Sequence, residues 1–167
     1  MDELTSRPAT IEDLKKVIKS LNDNKVDYLL IGGYAIQAHG YIRTTTDIDI
    51  LVPADKITGE KVIRALLVLP DKRAKDIDLS WFEEKDTIRL ADEVVVDIMF
   101  NACGETYDSL KKYAETIEFD GVQIRTVNLE GLLLTKKTLR DKDIPDRIVL
   151  KKALEEQRKK NIGNSGK

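Results

Sequence analysis

The chain has 167 residues, of which 41% are hydrophobic and 35% are charged, and its formal net charge is −2. This length suits one domain with its own core, and the near-neutral charge excludes general electrostatic affinity for nucleic acid. A single cysteine and a single histidine exclude an intrachain disulfide, a cysteine-rich zinc site and a multi-histidine metal site. We find neither a signal-peptide pattern nor an apolar run of membrane-spanning length, so we expect a cytoplasmic protein with no membrane contact.

Apolar residues recur at helical or strand spacing along most of the chain. Helices are predicted over about 11–23, 34–39, 55–69, 107–114, 129–138 and 143–159. Strands are predicted over 26–31, 46–52, 77–82, 87–90, 94–100, 116–119 and 122–127. Thr10 and Asp13 have the spacing of a capping box before the first helix, and Asp120-Gly121 is a hairpin turn signal.

Helices and strands alternate early in the chain, and a hairpin comes late. This order predicts an α+β (α/β-like) fold with a mixed β-sheet of about 4–6 strands flanked by helices, and short C-terminal helices. We expect a single domain over residues 1–160, followed by a disordered tail over 161–167.

Polar and apolar side chains alternate over residues 46–52, as in a half-buried strand. Asp47 and Asp49 therefore project from one face, whereas Ile48 and Ile50 project from the other. Two carboxylates on one strand face repel each other unless water, protons or a cation neutralises them. The pattern is consistent with a divalent-metal site and equally with a strand whose polar face lies in water.

Two further features accompany this strand. Gly32-Gly33 lies between a strand and a helix start, where glycines let the backbone approach a phosphate closely, although such a step is more often a plain turn. Asp97 interrupts an apolar strand, either as a site carboxylate or as a polar residue on a wet face. Together, a phosphate-binding turn and three strand carboxylates are what two-metal phosphoryl or nucleotidyl transfer requires.

The spacing of these residues resembles that of a known superfamily. Gly-Gly, thirteen residues, Asp-Ile-Asp-Ile and a later aspartate in an apolar strand resemble the nucleotidyltransferase superfamily of DNA polymerase beta. The closer resemblance is to its small prokaryotic branch of abortive-infection toxin and antibiotic nucleotidyltransferases. It lies in Gly32-Gly33-Tyr34-Ala35, in Arg43-Thr44-Thr45-Thr46-Asp47-Ile48-Asp49, and in the segment with Lys136, Arg140, Asp141, Lys142, Asp143 and Asp146.

The resemblance covers about residues 26–150 and implies a nucleotidyltransferase-like core. It implies that Asp47, Asp49 and Asp97 are catalytic and bind Mg²⁺ (or Mn²⁺). The third carboxylate would help to deprotonate the acceptor hydroxyl or would complete the second metal site. Gly32 and Gly33 would hold the triphosphate of an NTP substrate.

The resemblance also assigns nucleotide-binding roles to basic and hydroxyl side chains. Arg43 would orient the nucleotide or support the aspartate strand, Thr45 belongs to the same motif, and Lys136 would meet a phosphate. The segment 136–146 is also readable as a salt-bridged helical turn. Many superfamily members carry serine after the first glycine; Gly33 lacks that hydroxyl, so phosphate binding relies on backbone N–H groups and basic side chains.

The sequence thus predicts a metal-dependent nucleotidyltransferase that transfers NMP from an NTP to an acceptor and releases pyrophosphate. The acceptor is an RNA end such as that of tRNA, a small molecule or a protein side chain. Two alternatives follow from the small size and the lack of room for a separate helical acceptor domain. One is a catalytically silent NTP-binding or regulatory module, and the other is a toxin–antitoxin component that acts with a helical or antitoxin partner protein.

Overall fold

The computed structural model of the chain describes residues 6–137 and 143–165. Within these ranges, six strands form one mixed sheet that seven α-helices flank. The strands are β1 (Leu29–Ile31), β2 (Ile48–Leu51), β3 (Ile88–Ala91), β4 (Val95–Met99), β5 (Ala114–Phe119) and β6 (Val122–Val127). The helices are α1 (Ile11–Asp23), α2 (Gly32–Ala38), α3 (Lys56–Leu66), α4 (Trp81–Glu84), α5 (Tyr107–Leu110), α6 (Leu129–Leu134) and α7 (Ile144–Ser165). The predicted α+β class with a mixed sheet is confirmed.

The sheet has the strand order β3-β4-β2-β1-β6-β5. Strand β2 runs parallel to β4 and β1 runs parallel to β6, whereas the other neighbours are antiparallel. In this register Asp49 stands beside Ile31 on one side and beside Asp97 on the other, and Asp97 stands beside Arg89. Because laterally paired residues point to the same face of a sheet, Asp49, Asp97 and Arg89 project together.

Helix α1 forms as its sequence pattern predicts. The N–H of Thr10 donates to Asp13 Oδ2 over 2.7 Å, and the N–H of Asp13 donates to Thr10 Oγ1 over 3.3 Å, which completes the capping box. The apolar residues at helical spacing are buried where α1 packs against α3 and β6. These residues are Leu14, Val17, Ile18 and Leu21. Helix α2 contacts β1, β2 and α6.

The predicted strand over 77–82 is wrong, because the chain there turns into the single helical turn of α4. The carboxylate of Asp78 accepts the N–H of Ser80 over 2.9 Å and its hydroxyl over 2.8 Å. Local side-chain bonds of this kind give the backbone an alternative to strand pairing. Phe82, in α4, is fully buried, so the apolar residue that suggested a strand packs into the core from a turn.

The C-terminal half keeps the predicted hairpin but shortens two helices. Asp120 and Gly121 connect β5 to β6 with φ of 50° and 84°, which is the left-handed backbone of a two-residue hairpin turn. The helix predicted over 107–114 is only α5 followed by a 3₁₀ turn at Lys111–Tyr113, because β5 begins at Ala114. Helix α6 ends at Leu134.

The last helix, α7, continues to Ser165, whereas its pattern predicts an end near 159. The division into a domain over 1–160 and a tail over 161–167 stays a prediction. None of the helices in the described ranges combines the length and apolarity needed to cross a membrane.

Candidate active site

A cleft of about 960 Å³ opens on the sheet face that carries Asp49 and Asp97. It is bordered by the start of α2, by β2, β3 and β4, and by the segments that end α6 and precede α7. All eight residues that the sequence assigns to the site line this cleft. They are Gly32, Gly33, Arg43, Thr45, Asp47, Asp49, Asp97 and Lys136. Their individual roles stay predictions.

Three carboxylates converge on the floor of the cleft. Asp49 lies within β2 and Asp97 beside it within β4, while Asp47 directly precedes β2. The alternation predicted from the sequence holds, since Ile48 and Ile50 are fully buried on the opposite face. The side chains of Asp47 and Asp97 are 28% and 14% exposed, so the cleft reaches both of them from solvent.

The electrostatics of the cleft favour the binding of positive charge. Burial, followed by repulsion from the Asp97 carboxylate, raises the pKa of Asp49 to about 7, and the ammonium of Lys136 partly opposes this rise. Burial also raises the pKa of Asp97, against the opposing effect of Arg89. A cation bound beside the two carboxylates would offset both effects.

The two glycines let α2 begin directly against the aspartate strand. Gly32 has φ +76°, and a Cβ at this residue would overlap the Asp49 carboxylate. A Cβ at Gly33 would lie 2.6 Å from Thr45 Cβ. Both the backbone conformation and the available space therefore require glycine at residue 32. Both glycines are buried and line the cleft.

A buried ion-pair cluster holds two basic side chains at the rim. Lys136 Nζ lies 3.2 Å from Asp146 Oδ2 and 3.4 Å from Asp143 Oδ1, and both aspartates are almost fully buried. Arg43 Nε contacts Asp146 Oδ1 at 2.6 Å. Asp146 therefore ties the loop before β2 to the end of α6. The predicted segment 136–146 is a salt-bridged structure at the cleft, while its Arg140, Asp141 and Lys142 lie outside the described residues.

Arg89 is the main site residue that the sequence analysis missed. Its Nη1 donates to both carboxylate oxygens of Asp97, at 2.9 and 3.1 Å, and its Nη2 donates to Asp47 Oδ2 at 3.1 Å. The alternation over 87–90 does place Arg89 on the polar face of its strand. The lateral neighbour of that strand, however, is set by sheet order, which the sequence pattern does not give. Other lining residues without a prediction include Thr87, Asn101 and Cys103.

Comparison with known proteins supplies the family. Residues 10–163 match the model of a family described as "Nucleotidyl transferase of unknown function (DUF2204)". The chain belongs to this family. A crystal structure of a candidate nucleotidyltransferase from Thermotoga maritima is similar over 93% of this chain and 92% of that chain, with 18% identity and a TM-score of 0.52. That similarity supports the nucleotidyltransferase-like fold. No curated protein matches this chain.

The donor set of this nucleotidyltransferase family member fits a hard divalent cation. Carboxylate oxygens are the ligands that Mg²⁺ and Mn²⁺ prefer, and a cation beside Asp49 and Asp97 would offset the burial and the repulsion that raise the pKa of Asp49. The three side chains are nevertheless not positioned as a metal site in this structure: across residues 6–137 and 143–165, no group of three or more His, Cys, Asp or Glu side chains could hold a metal ion. The guanidinium of Arg89 bonds to Asp47 and Asp97 in this state.

Proposed function

We propose that this chain is a metal-dependent nucleotidyltransferase that moves a nucleoside monophosphate from an NTP to an acceptor and releases pyrophosphate. The observation that carries the proposal is that the three carboxylates of Asp47, Asp49 and Asp97 share one cleft with Lys136 and Arg43. Family membership supports the general activity. The volume of the cleft is at the upper end for small-molecule sites, which supports its holding an NTP together with an acceptor group.

In the proposed reaction, an oxygen of the acceptor hydroxyl attacks the α-phosphorus of the NTP. The bond from this phosphorus to the oxygen that bridges to the β-phosphate breaks, and pyrophosphate leaves. Asp97 accepts the hydroxyl proton, since its carboxylate faces the cleft and burial raises its pKa, which makes it a stronger base. The acceptor is an RNA end such as that of tRNA, a small molecule or a protein side chain.

The basic residues of the rim hold the negatively charged triphosphate. Lys136 and Arg43 are fixed by the buried Asp146, so little side-chain entropy remains to be lost when they meet a phosphate. The hydroxyl of Thr45 and the backbone at Gly32 and Gly33 line the same cleft. They donate hydrogen bonds to phosphate oxygens in the proposed complex.

Asp47, Asp49 and Asp97 would hold Mg²⁺ or Mn²⁺ through their carboxylate oxygens. Bound there, the ion would neutralise charge on the reacting phosphate and on the leaving pyrophosphate. Asp49 would bind the ion as a carboxylate, and with a pKa of about 7 its deprotonation would cost little at neutral pH.

Transfer of label from nucleotides tests the proposal. The protein is incubated with Mg²⁺, extract of its native cell and each NTP labelled on the α-phosphate, and in parallel on the γ-phosphate. We expect α-label, but no γ-label, to reach an acceptor, and Asp47→Asn to abolish the transfer. The matched control is Arg64→Gln, at an exposed position of α3, which retains it. Absence of α-label transfer, or equal transfer by Asp47→Asn, contradicts the assignment.

Exposed isoleucines near the rim favour one alternative, a toxin–antitoxin component that acts with a helical or antitoxin partner protein. Ile42 is 98% exposed and precedes Arg43, while Ile148 is 62% exposed and follows Asp146, the ion-pair partner of Arg43. Contiguous apolar patches mark interaction surfaces, and the ion pair between Arg43 and Asp146 brings together the two segments that carry these isoleucines. We expect a partner protein to co-purify from the native cell and to be lost with Ile42→Ser plus Ile148→Ser. Full activity of the lone monomer, with no co-purifying protein, counts against this alternative.

A further inference from the structure

We propose that Arg89 is an internal counter-cation, whose guanidinium neutralises Asp47 and Asp97 in the metal-free protein and is displaced when a divalent cation binds. This inference rests on the proposed metal-dependent function and deepens it, because it identifies what opposes metal binding within the chain itself. The expected consequence is unusual for a residue that contacts a metal site: removal of Arg89 tightens the binding of the metal.

The contacts of Arg89 are those of a cation that bridges two carboxylates. Its Nη1 lies 2.9 Å from Asp97 Oδ2 and 3.1 Å from Asp97 Oδ1, and its Nη2 lies 3.1 Å from Asp47 Oδ2. These oxygens belong to two of the three carboxylates proposed to hold the metal. A guanidinium and a divalent cation repel each other, and they cannot both occupy the same oxygen lone pairs. Binding of one therefore opposes binding of the other.

Arg89 can leave these carboxylates without disturbing the core. Its side chain is 41% exposed, compared with 14% for Asp97, so the guanidinium lies on the solvent side of the pair. Its strand neighbours Ile88 and Leu90 are buried and hold β3 in place. Displacement therefore requires rotation of a long, partly exposed side chain and leaves the strand unchanged.

A second cavity offers the displaced guanidinium a place to go. This cavity of about 220 Å³ adjoins the cleft, since Thr87 and Arg89 line both. Its other lining residues are Trp81, Glu84, Asp86 and Ile88. Two carboxylates and the face of an indole ring are favourable surroundings for a guanidinium. We therefore place the alternative position of Arg89 beside Trp81, which is the only tryptophan in the chain.

Metal affinity of matched variants tests the inference with a readout other than activity. The binding of Mn²⁺ is measured from the electron paramagnetic resonance signal of the free ion, for the wild type, Arg89→Gln, Arg89→Lys and the control Arg64→Gln. We expect Arg89→Gln to bind Mn²⁺ about tenfold more tightly than the wild type, and Arg64→Gln to equal it. Arg89→Lys should lie between them, because an ammonium keeps the charge but lacks the bridging fork. Circular dichroism confirms that each variant is folded.

The inference is overturned if Arg89→Gln binds Mn²⁺ no more tightly than the wild type does. The role of Arg89 would then be to orient Asp97. The variant Asp49→Asn separates this failure from failure of the proposed function. If Asp49→Asn does not bind Mn²⁺ while the Mn²⁺ affinity of Arg89→Gln equals that of the wild type, the metal site is supported and only the proposed role of Arg89 is contradicted. If neither the wild type nor Arg89→Gln binds Mn²⁺, the metal site itself falls as well.

The fluorescence of Trp81 reports the movement of Arg89 directly. We expect titration with diamagnetic Mg²⁺ to change the emission of the wild type, because the guanidinium arrives beside the indole ring. The same titration should leave the emission of Arg89→Gln unchanged. A wild-type emission that does not respond to bound Mg²⁺, or an equal response in Arg89→Gln, contradicts the displacement.

Discussion

Asp92 is a buried carboxylate and Asp49 is a partly buried one, and their surroundings differ in one respect. Asp92, in the turn between β3 and β4, is 1% exposed and accepts three backbone N–H groups. These donors belong to Asp71 at 3.0 Å, Arg73 at 2.9 Å and Glu93 at 2.7 Å. Asp49 instead faces another carboxylate, and burial beside it raises its pKa to about 7.

Under the proposed function, this difference separates a structural carboxylate from a metal-binding one. The charge of Asp92 is neutralised by fixed backbone dipoles that belong to the fold, so nothing further is needed to stabilise it. Burial and the neighbouring Asp97 carboxylate instead disfavour the charged form of Asp49, and in the proposed function a bound cation offsets these effects. Identical substitutions at the two residues should therefore have opposite consequences for activity and stability.

The largest expected effect is the loss of catalysis in Asp49→Asn. The amide keeps the shape of the side chain but removes a ligand charge, so we expect nucleotidyl transfer to fall by at least about 10³-fold while the fold is retained. Initial rates with an α-labelled NTP measure this loss. A transfer rate within tenfold of the wild-type rate would show that Asp49 is not required for catalysis. The proposed difference between Asp49 and Asp92 would then be contradicted.

Asp92→Asn should show the reverse pattern. An amide at this position leaves at least one of three buried N–H donors without an acceptor, and we expect the free energy of unfolding to fall by about 3 kcal/mol. Urea denaturation measures this change. The transfer rate per folded molecule should equal that of the wild type, and a selective loss of rate at unchanged stability would show that Asp92 also serves the site.

The pH dependence of stability sharpens the comparison further. The pKa of Asp49 is raised in the folded state, so between about pH 4 and pH 7 the folded chain binds a proton that the unfolded chain releases. Stability without metal should therefore decrease as the pH rises through this window and stay low above it. In EDTA at pH 8, Asp49→Asn should be more stable than the wild type by on the order of 2 kcal/mol. Urea midpoints across the pH series test this, and a wild-type curve parallel to that of Asp49→Asn contradicts it.

The smallest predicted effect is at Asp13, a carboxylate of a third kind. Hydrogen bonds from Arg7 are the main cause that lowers the pKa of Asp13 to about 2, and its carboxylate also caps α1. The stability that Asp13 contributes is present above about pH 4 and is lost as the pH falls toward 2, which is the opposite sign to Asp49. We expect Asp13→Asn to lower the free energy of unfolding by about 1 kcal/mol at pH 7 and to weaken the acid dependence. An unchanged acid limb would contradict this.

Local patterns were sufficient to predict much of the fold. The alternation over residues 46–52 predicted that Asp47 and Asp49 project from the same face of a strand. The apolar spacing after Thr10 predicted helix α1, and Asp120-Gly121 predicted the turn of the hairpin. Each of these depends on neighbours within a few residues. The strand predicted at 77–82 failed because bonds from the Asp78 side chain to Ser80 outweigh an apolar pattern.

The site was predictable in its residues but not in its pairings. The motif identified eight of the residues that line the cleft, yet it did not reveal that Arg89 bonds to Asp47 and Asp97. That contact depends on β3 lying beside β4 at the edge of the sheet, which no spacing in the sequence encodes. Similarly, the spacing of Lys136 and Asp146 suggested a salt bridge, but the participation of Arg43 requires the loop before β2 to meet α7.

Diffraction from crystals soaked in Mn²⁺ with a non-hydrolysable NTP analogue tests the central claim most directly. Anomalous scattering distinguishes a manganese ion from the lighter atoms of the protein. We predict an anomalous peak within coordination distance of carboxylate oxygens of Asp47 and Asp49, and no peak at Asp92. We expect the triphosphate to extend toward Lys136. An analogue bound in the cleft with no anomalous signal at Asp47, Asp49 or Asp97 would contradict the account.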